Sequence, residues 1–268
     1  MEDDEDNKII IKDIQFGFRR FRAPAKRIYG NRNIFLLDVP PNPIASWLSF
    51  WMPQLVRSWL QRLLPEWFLP TSVILKERNP TKADSYENEI ATYLHLRSLQ
   101  GTHIPRLFGE VAVSDPHAQR YQISKRPIPA ILLENIEGVS LHNLPIKELR
   151  NLPLVEELQN IYALLTKGGV VHGDPRLHNF LRVNKRIVAI DFEFSRPLSS
   201  KITNEDELET LKIEIEKRKR QAQGAELEHP VQGPVILNSL RVRESSGTTT
   251  HDKQRGDERP LYPWGSAT

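Results

Sequence analysis

The sequence predicts an α+β protein, and three observations carry that prediction. Short apolar runs of strand composition recur between turn residues, other segments repeat apolar residues at helical spacing, and neither kind dominates the chain. At 268 residues there is room for one large domain or two small lobes, and 39% hydrophobic with 26% charged residues is ordinary for a globular chain.

The elements follow in order. Ile9-Ile10-Ile11 and Ile34-Phe35-Leu36-Leu37 read as short strands, separated by a basic stretch holding Arg19, Arg20, Arg22, Lys26 and Arg27. That stretch reads as a solvated surface. An amphipathic helix over 54–64 carries Leu55, Val56, Trp59, Leu60, Leu63 and Leu64 on one face. With Trp47, Trp51 and Trp67 nearby, it reads as a helix docked on the body of the protein, with a membrane surface or a partner protein as the alternatives. These residues, 1–70, form an N-terminal extension in this reading.

A strand-helix-strand-strand unit is expected over 71–137. Ser72 to Lys76 is an apolar run ending in a lysine, and Tyr86 to Leu99 is helical with Tyr86, Ile90, Tyr93 and Leu94 along one side. Leu107 to Val113 and Ala130 to Glu134 are strand-like. Over 138–224 a helix from Leu154 to Lys167 stops at Gly168-Gly169. Val170-Val171, Phe180 to Val183 and Ile187 to Ile190 then form a small hairpin system turning at Asn184-Lys185. A last helix runs from about Asn204 to Ala222, acidic in its first turn and basic in its last, as the helix dipole favours. Residues 225–268 mix Pro, Gly, Ser, Thr and charge without periodicity and read as a disordered tail.

Composition excludes several classes. There is no cysteine, which removes disulfide scaffolds, thiolate zinc sites and cysteine nucleophiles. A net charge of +3 gives no case for nucleic acid. The acidic start, Met1 to Asp6, lacks the apolar core of a signal peptide, and the apolar stretch from Ala45 to Pro70 is too interrupted to span a bilayer. An intracellular protein, cytoplasmic or nuclear, is expected.

The chemistry-bearing residues cluster late in the chain. Phosphoryl transfer needs a carboxylate beside the attacking hydroxyl, oxygen ligands for magnesium and a cation on the phosphates. The loop His172-Gly173-Asp174-Pro175-Arg176-Leu177-His178-Asn179 lies between apolar runs, and Asp191-Phe192-Glu193 follows the next strand. A hairpin can return Asp191 beside Asn179. Those two would share the metal, while Asp174 faces the hydroxyl. Three such polar groups flanked by apolar strands are expensive to bury without a ligand.

These residues resemble the catalytic loop and metal-binding triplet of the protein-kinase superfamily. Glycine after the first histidine and glutamate ending the triplet resemble the aminoglycoside and choline phosphotransferases. Upstream, Val73-Ile74-Leu75-Lys76 resembles the strand whose lysine holds the ATP phosphates, and Glu89 its helix partner, with Glu87 as a rival. Ile131 to Ile136 resembles the hinge that binds adenine, with Leu133, Glu134 and Ile136 as the contacts. Arg176 stands where protein serine/threonine kinases carry a lysine on the transferred phosphate.

The match covers about 71–195, and the short kinase-like proteins of filamentous fungi are similar. The resemblance implies a two-lobed protein-kinase-like fold with a reduced C-terminal lobe, and an ATP- and Mg2+-dependent kinase acting on a protein or small-molecule hydroxyl. Two departures stand out. No glycine-rich loop precedes Lys76, since Gly17 and Gly30 are distant in sequence, and nothing after Asp191 resembles an activation segment. A pseudokinase-like ATP-binding or scaffold protein is therefore the alternative. Glu193 reads equally as a third carboxylate near the metal or as a surface residue. His172 reads as structural and His178 as a bystander.

Overall fold

The computed structural model describes residues 9–28, 33–43, 63–114, 126–151, 153–184, 186–198 and 203–228, with isolated positions between 47 and 60. Eleven strands and four helices can be named among them. The strands are β1 (Ile9–Phe16), β2 (Arg19–Arg27), β3 (Ile34–Asp38), β4 (Ser72–Glu77), β5 (Leu107–Ser114), β6 (Ile128–Glu134), β7 (Val139–Ser140), β8 (Val170–Val171), β9 (Phe180–Val183), β10 (Arg186–Ala189) and β11 (Arg196–Pro197). The helices are α1 (Ala83–His95), α2 (Ile146–Asn151), α3 (Leu154–Lys167) and α4 (Asn204–Glu228).

Six strands close into a barrel in the order β1-β2-β3-β4-β6-β5, all neighbours antiparallel. Side chains alternate across each strand, so one face fills the interior. Ile14, Phe16, Ala23, Ala25, Phe35, Leu37, Val73, Leu75, Val111, Val113, Ala130 and Leu132 are buried there. One ion pair shares that space: Lys12 Nζ lies 2.9 Å from a Glu77 carboxylate oxygen and over the Phe35 ring.

The barrel corrects the boundary drawn at residue 70. β1, β2 and β3 belong to the same closed sheet as β4, β5 and β6, so the first part of the chain is not an extension of it. The basic stretch is likewise a strand. Arg20, Arg22 and Lys26 are exposed on one face while Ala23 and Ala25 are buried on the other, and Arg22 pairs with Asp13 across the ladder. The amphipathic helix expected over 54–64 lies largely outside the described residues.

A second core lies against the barrel's outer face. It gathers α1, α3, α4, the β10-β9-β7 sheet and the β11-β8 pair around Tyr93, Leu96, Leu158, Tyr162, Leu165, Phe180, Ile187, Phe192 and Leu211. Ile131 and Leu133 of β6 reach it from the barrel wall. On α1 the buried stripe is Tyr86, Glu89, Tyr93 and then Leu96 just past its end, while Leu94 is exposed, so the stripe turns away from the side expected to hold Leu94. α3 buries Leu154, Leu158, Ile161, Tyr162 and Leu165, the face its spacing predicts. α4 continues to Glu228, past the boundary at 224, and residues 229–268 lie outside the described residues. Among the described residues, no helix is long and apolar enough to cross a membrane.

Candidate functional site

β4 has two faces with different fates. Val73 and Leu75 point into the barrel, so Lys76 emerges on the outside, toward α1. Its ammonium meets three carboxylates there. Glu89 Oε2 lies at 2.6 Å, Asp191 Oδ1 at 2.8 Å and Glu193 Oε1 at 2.8 Å. Burial disfavours the charge on Lys76, but the carboxylates of Glu89, Asp191 and Glu193 outweigh it and raise the pKa. Burial pushes the Glu89 carboxyl up to about 7 against the pull of Lys76. Glu87, the rival, lies on the exposed face and pairs with Arg78.

Asp191 follows β10 and adopts a left-handed backbone, φ 65°, uncommon for a residue with a side chain. The segment after it is tied to α1. Asn88 Nδ2 donates to the carbonyls of Ser195 at 2.7 Å and Glu193 at 3.2 Å. Ser195 Oγ donates to the Phe192 carbonyl at 2.8 Å and lies 2.6 Å from Thr92 Oγ1. Phe192 is fully buried between the rings of Tyr93 and His172, with centroids at 5.4 and 4.9 Å.

The loop 172–179 is held from within. His172 donates from Nε2 to the Ile190 carbonyl at 3.0 Å, while its Nδ1 accepts from the Asp174 amide at 3.4 Å. That pattern specifies a neutral imidazole, and burial lowers its pKa in the same direction. Asn179 Nδ2 donates to Asp174 twice, to the carbonyl at 3.1 Å and to Oδ2 at 2.9 Å. Arg176 Nε grips the other carboxylate oxygen of Asp174 at 2.9 Å. The Ile190 amide donates to the Asn179 carbonyl at 2.9 Å, which brings the strand leading to Asp191 alongside the loop. His178 is exposed.

Gly173 explains itself here. Its φ is +84°, and a Cβ at this position would sit 1.9 Å from the Phe194 carbonyl oxygen. The Gly173 amide donates to Glu207 Oε1 of α4 at 2.8 Å. Nothing in the residue types announced Glu207, Asn88 or Ser195. They act through backbone groups that only the folded chain brings near.

A cavity of about 300 Å3 opens beside Lys76, with Asn33, Ile34, Glu89, Arg176, Glu193 and Phe194 in its wall. Ile34 pairs with Lys76 in the ladder, and the Glu77 amide donates to the Asn33 carbonyl. The end of the β2–β3 connection at Asn33 and Ile34 therefore lies beside Lys76. Residues 29–32 themselves lie outside the described residues.

The expected adenine contacts sit elsewhere. Leu133 and Glu134 end β6, with Glu134 Oε2 accepting the Arg106 amide at 3.1 Å, and Ile136 follows in the segment leading to β7. None of the three belongs to the wall of this cavity.

Oxygen donors for a hard cation are available. Glu89, Asp191 and Glu193 each offer a carboxylate oxygen within 4.8 Å of the others, and Glu89 Oε1 is buried without a hydrogen-bond partner. Such a set suits magnesium and not a soft metal.

No family model matches the chain. A curated protein named "Probable serine/threonine-protein kinase YbdM", from Bacillus subtilis (strain 168), is 25% identical over 149 residues, 53% of each chain. The chain thus spans about half the length of the curated relative it matches. At that level the similarity is to a kinase, with substrate and activity left to the site itself.

Proposed function

We propose that this chain is an ATP-dependent phosphotransferase with a two-lobed protein-kinase-like fold and a reduced C-terminal lobe. It transfers the terminal phosphate of ATP to a hydroxyl, a protein serine or threonine in preference to a small molecule. The observation that carries this reading is the contact of Lys76 with both Glu89 and Asp191, groups from a strand, a helix and a distant turn. The similarity to a protein named as a probable serine/threonine kinase supports it, as does Arg176 beside Asp174.

The residues take roles that follow from their chemistry. Asp174, oriented by Asn179 and Arg176, accepts the proton of the attacking hydroxyl. Lys76 gives the phosphates a cation, and Glu89 fixes its position. Asp191 and Asn179 would hold Mg2+, which offsets phosphate charge when bound. Leu133, Glu134 and Ile136 are the proposed adenine contacts, at the end of β6 and just beyond it.

Heat stability tests the reading directly. Mg-ATP at about a hundred times its Kd should stabilise the protein by about 2.7 kcal/mol, and Asp191→Ala should abolish the gain. No stabilisation at saturation would sink both the enzyme and an ATP-binding scaffold. Turnover separates those two: Asp174→Asn should lower ATP consumption by about a hundredfold or more, whereas equal rates would leave a binding protein without catalysis.

A further inference from the structure

A lysine ammonium has three N–H donors. Lys76 Nζ lies within 2.8 Å of three different carboxylates, hydrogen-bonded to Asp191 and ion-paired with Glu89 and Glu193, so as many acceptors crowd it as it has donors. A phosphate oxygen comes as close to the ammonium only when one of those carboxylates gives way. The three are not equally held. The side-chain exposure of Glu89 is 1% and that of Asp191 is 12%, while that of Glu193 is 20%, and Glu193 lines the cavity beside the ammonium.

The backbone beneath Glu193 is anchored apart from its side chain. Asn88 holds the Glu193 and Ser195 carbonyls, and Ser195 holds that of Phe192. The carboxylate can therefore swing into solvent without moving the segment. Removing Glu89 or Asp191 from Lys76 would strand a more deeply buried charge, which is the costlier exchange.

We propose that Glu193 is a built-in competitor, displaced from Lys76 by a phosphate group, and that it sets the nucleotide affinity of the site. The proposal rests on the reading of Lys76 as the phosphate-binding cation. It also gives Glu193 a role that is neither metal ligand nor idle surface.

Calorimetric titration of the full chain with ATP, once with Mg2+ and once with EDTA, tests it on Glu193→Gln against wild type. The variant should bind about tenfold tighter in both buffers, since one close ion pair with Lys76 no longer has to be broken. Glu193→Asp, with its charge kept and its reach shortened, should gain less. Its melting temperature and that of the glutamine variant should stay close to wild type, because the residue is partly exposed. Unchanged affinity, or weaker binding confined to the Mg2+ buffer, would overturn the proposal while leaving the kinase reading in place. Absence of binding by wild type and both variants would overturn both. Binding by the glutamine variant alone would be the strongest support.

Discussion

The barrel interior and the core outside it share β4 and β6 but are built to different rules. Inside, small and aliphatic residues with Phe16 and Phe35 close over one another from six strands, and the Lys12–Glu77 pair shares that space. Outside, aromatic rings, a neutral histidine and several carboxylates share the space, and their backbone ties come from α1 and α4. β4 contributes to both, with Leu75 on one side and Lys76 on the other. The lesson is a division of labour. The closed sheet supplies rigidity, and polar chemistry is set on its outer face, where a helix and a turn can converge on one cation.

Two neighbours on β4 offer the sharpest way to break that division. Leu75→Ala should cost about 3 kcal/mol through the cavity it leaves, yet the protein should still be stabilised by Mg-ATP. Lys76→Met should cost roughly 3 kcal/mol as well, because carboxylates lose their cation in a buried site, and the response to nucleotide should disappear. Thermal unfolding with and without Mg-ATP measures both. A Leu75→Ala protein that stays folded but ignores nucleotide would show that the two faces are not separable.

Two glycines test the outer core next. Gly173 and Gly169 both have left-handed backbones, φ +84° and +69°, but a Cβ on Gly173 meets the Phe194 carbonyl whereas one on Gly169 meets nothing within 4 Å. Gly169→Ala should cost about 1 kcal/mol of backbone strain. Gly173→Ala should add a clash to that strain, for a loss of about 3 kcal/mol, read by urea unfolding. Similar losses would mean that the turn after Phe192 can move aside freely.

The smallest expected effect is one of pH. Burial lowers the His172 pKa below 6.5, so its contribution to stability is complete above that value and declines as the pH falls below it. Between pH 7.5 and 5.5 the wild type should lose up to about 1.4 kcal/mol per unit from this group, and His172→Asn should show a flatter profile. Parallel profiles would mean that the imidazole takes up its proton inside the fold.

Much of this arrangement was legible in the chain. Lys76 at the end of an apolar run and Glu89 on a helix stripe meet because period-2 and period-3.6 patterns are local and survive folding. The hairpin that returns Asp191 was equally readable, from Phe180 to Val183, Asn184 and the run after it. What escaped was relational. β2 was hidden by Pro24 and its arginines, which disguise a strand whose fully buried residues are two alanines. The pairing of Ile34 with Lys76 was not readable, because sequence distance says nothing of register. Glu193 had two readings of equal weight, since a carboxylate's partner is not written in its neighbours. Glu207 gave no sign at all, because its partner is a backbone amide.

The seam of the barrel has a consequence for how the chain folds. β1 and β5 meet through Asp13 with Ser114, Ile14 with Val113 and Gln15 with Ala112, so the first strand waits for one about a hundred residues later. During synthesis the β1–β2 hairpin can form early, but the ring cannot shut until β5 has been made, and β6 must then slot between β4 and β5. Contacts this distant in the chain slow folding. Until then β1 and β4 present open edges, a ready template for pairing with another chain. Ring closure is therefore the step at which this protein is most exposed to aggregation.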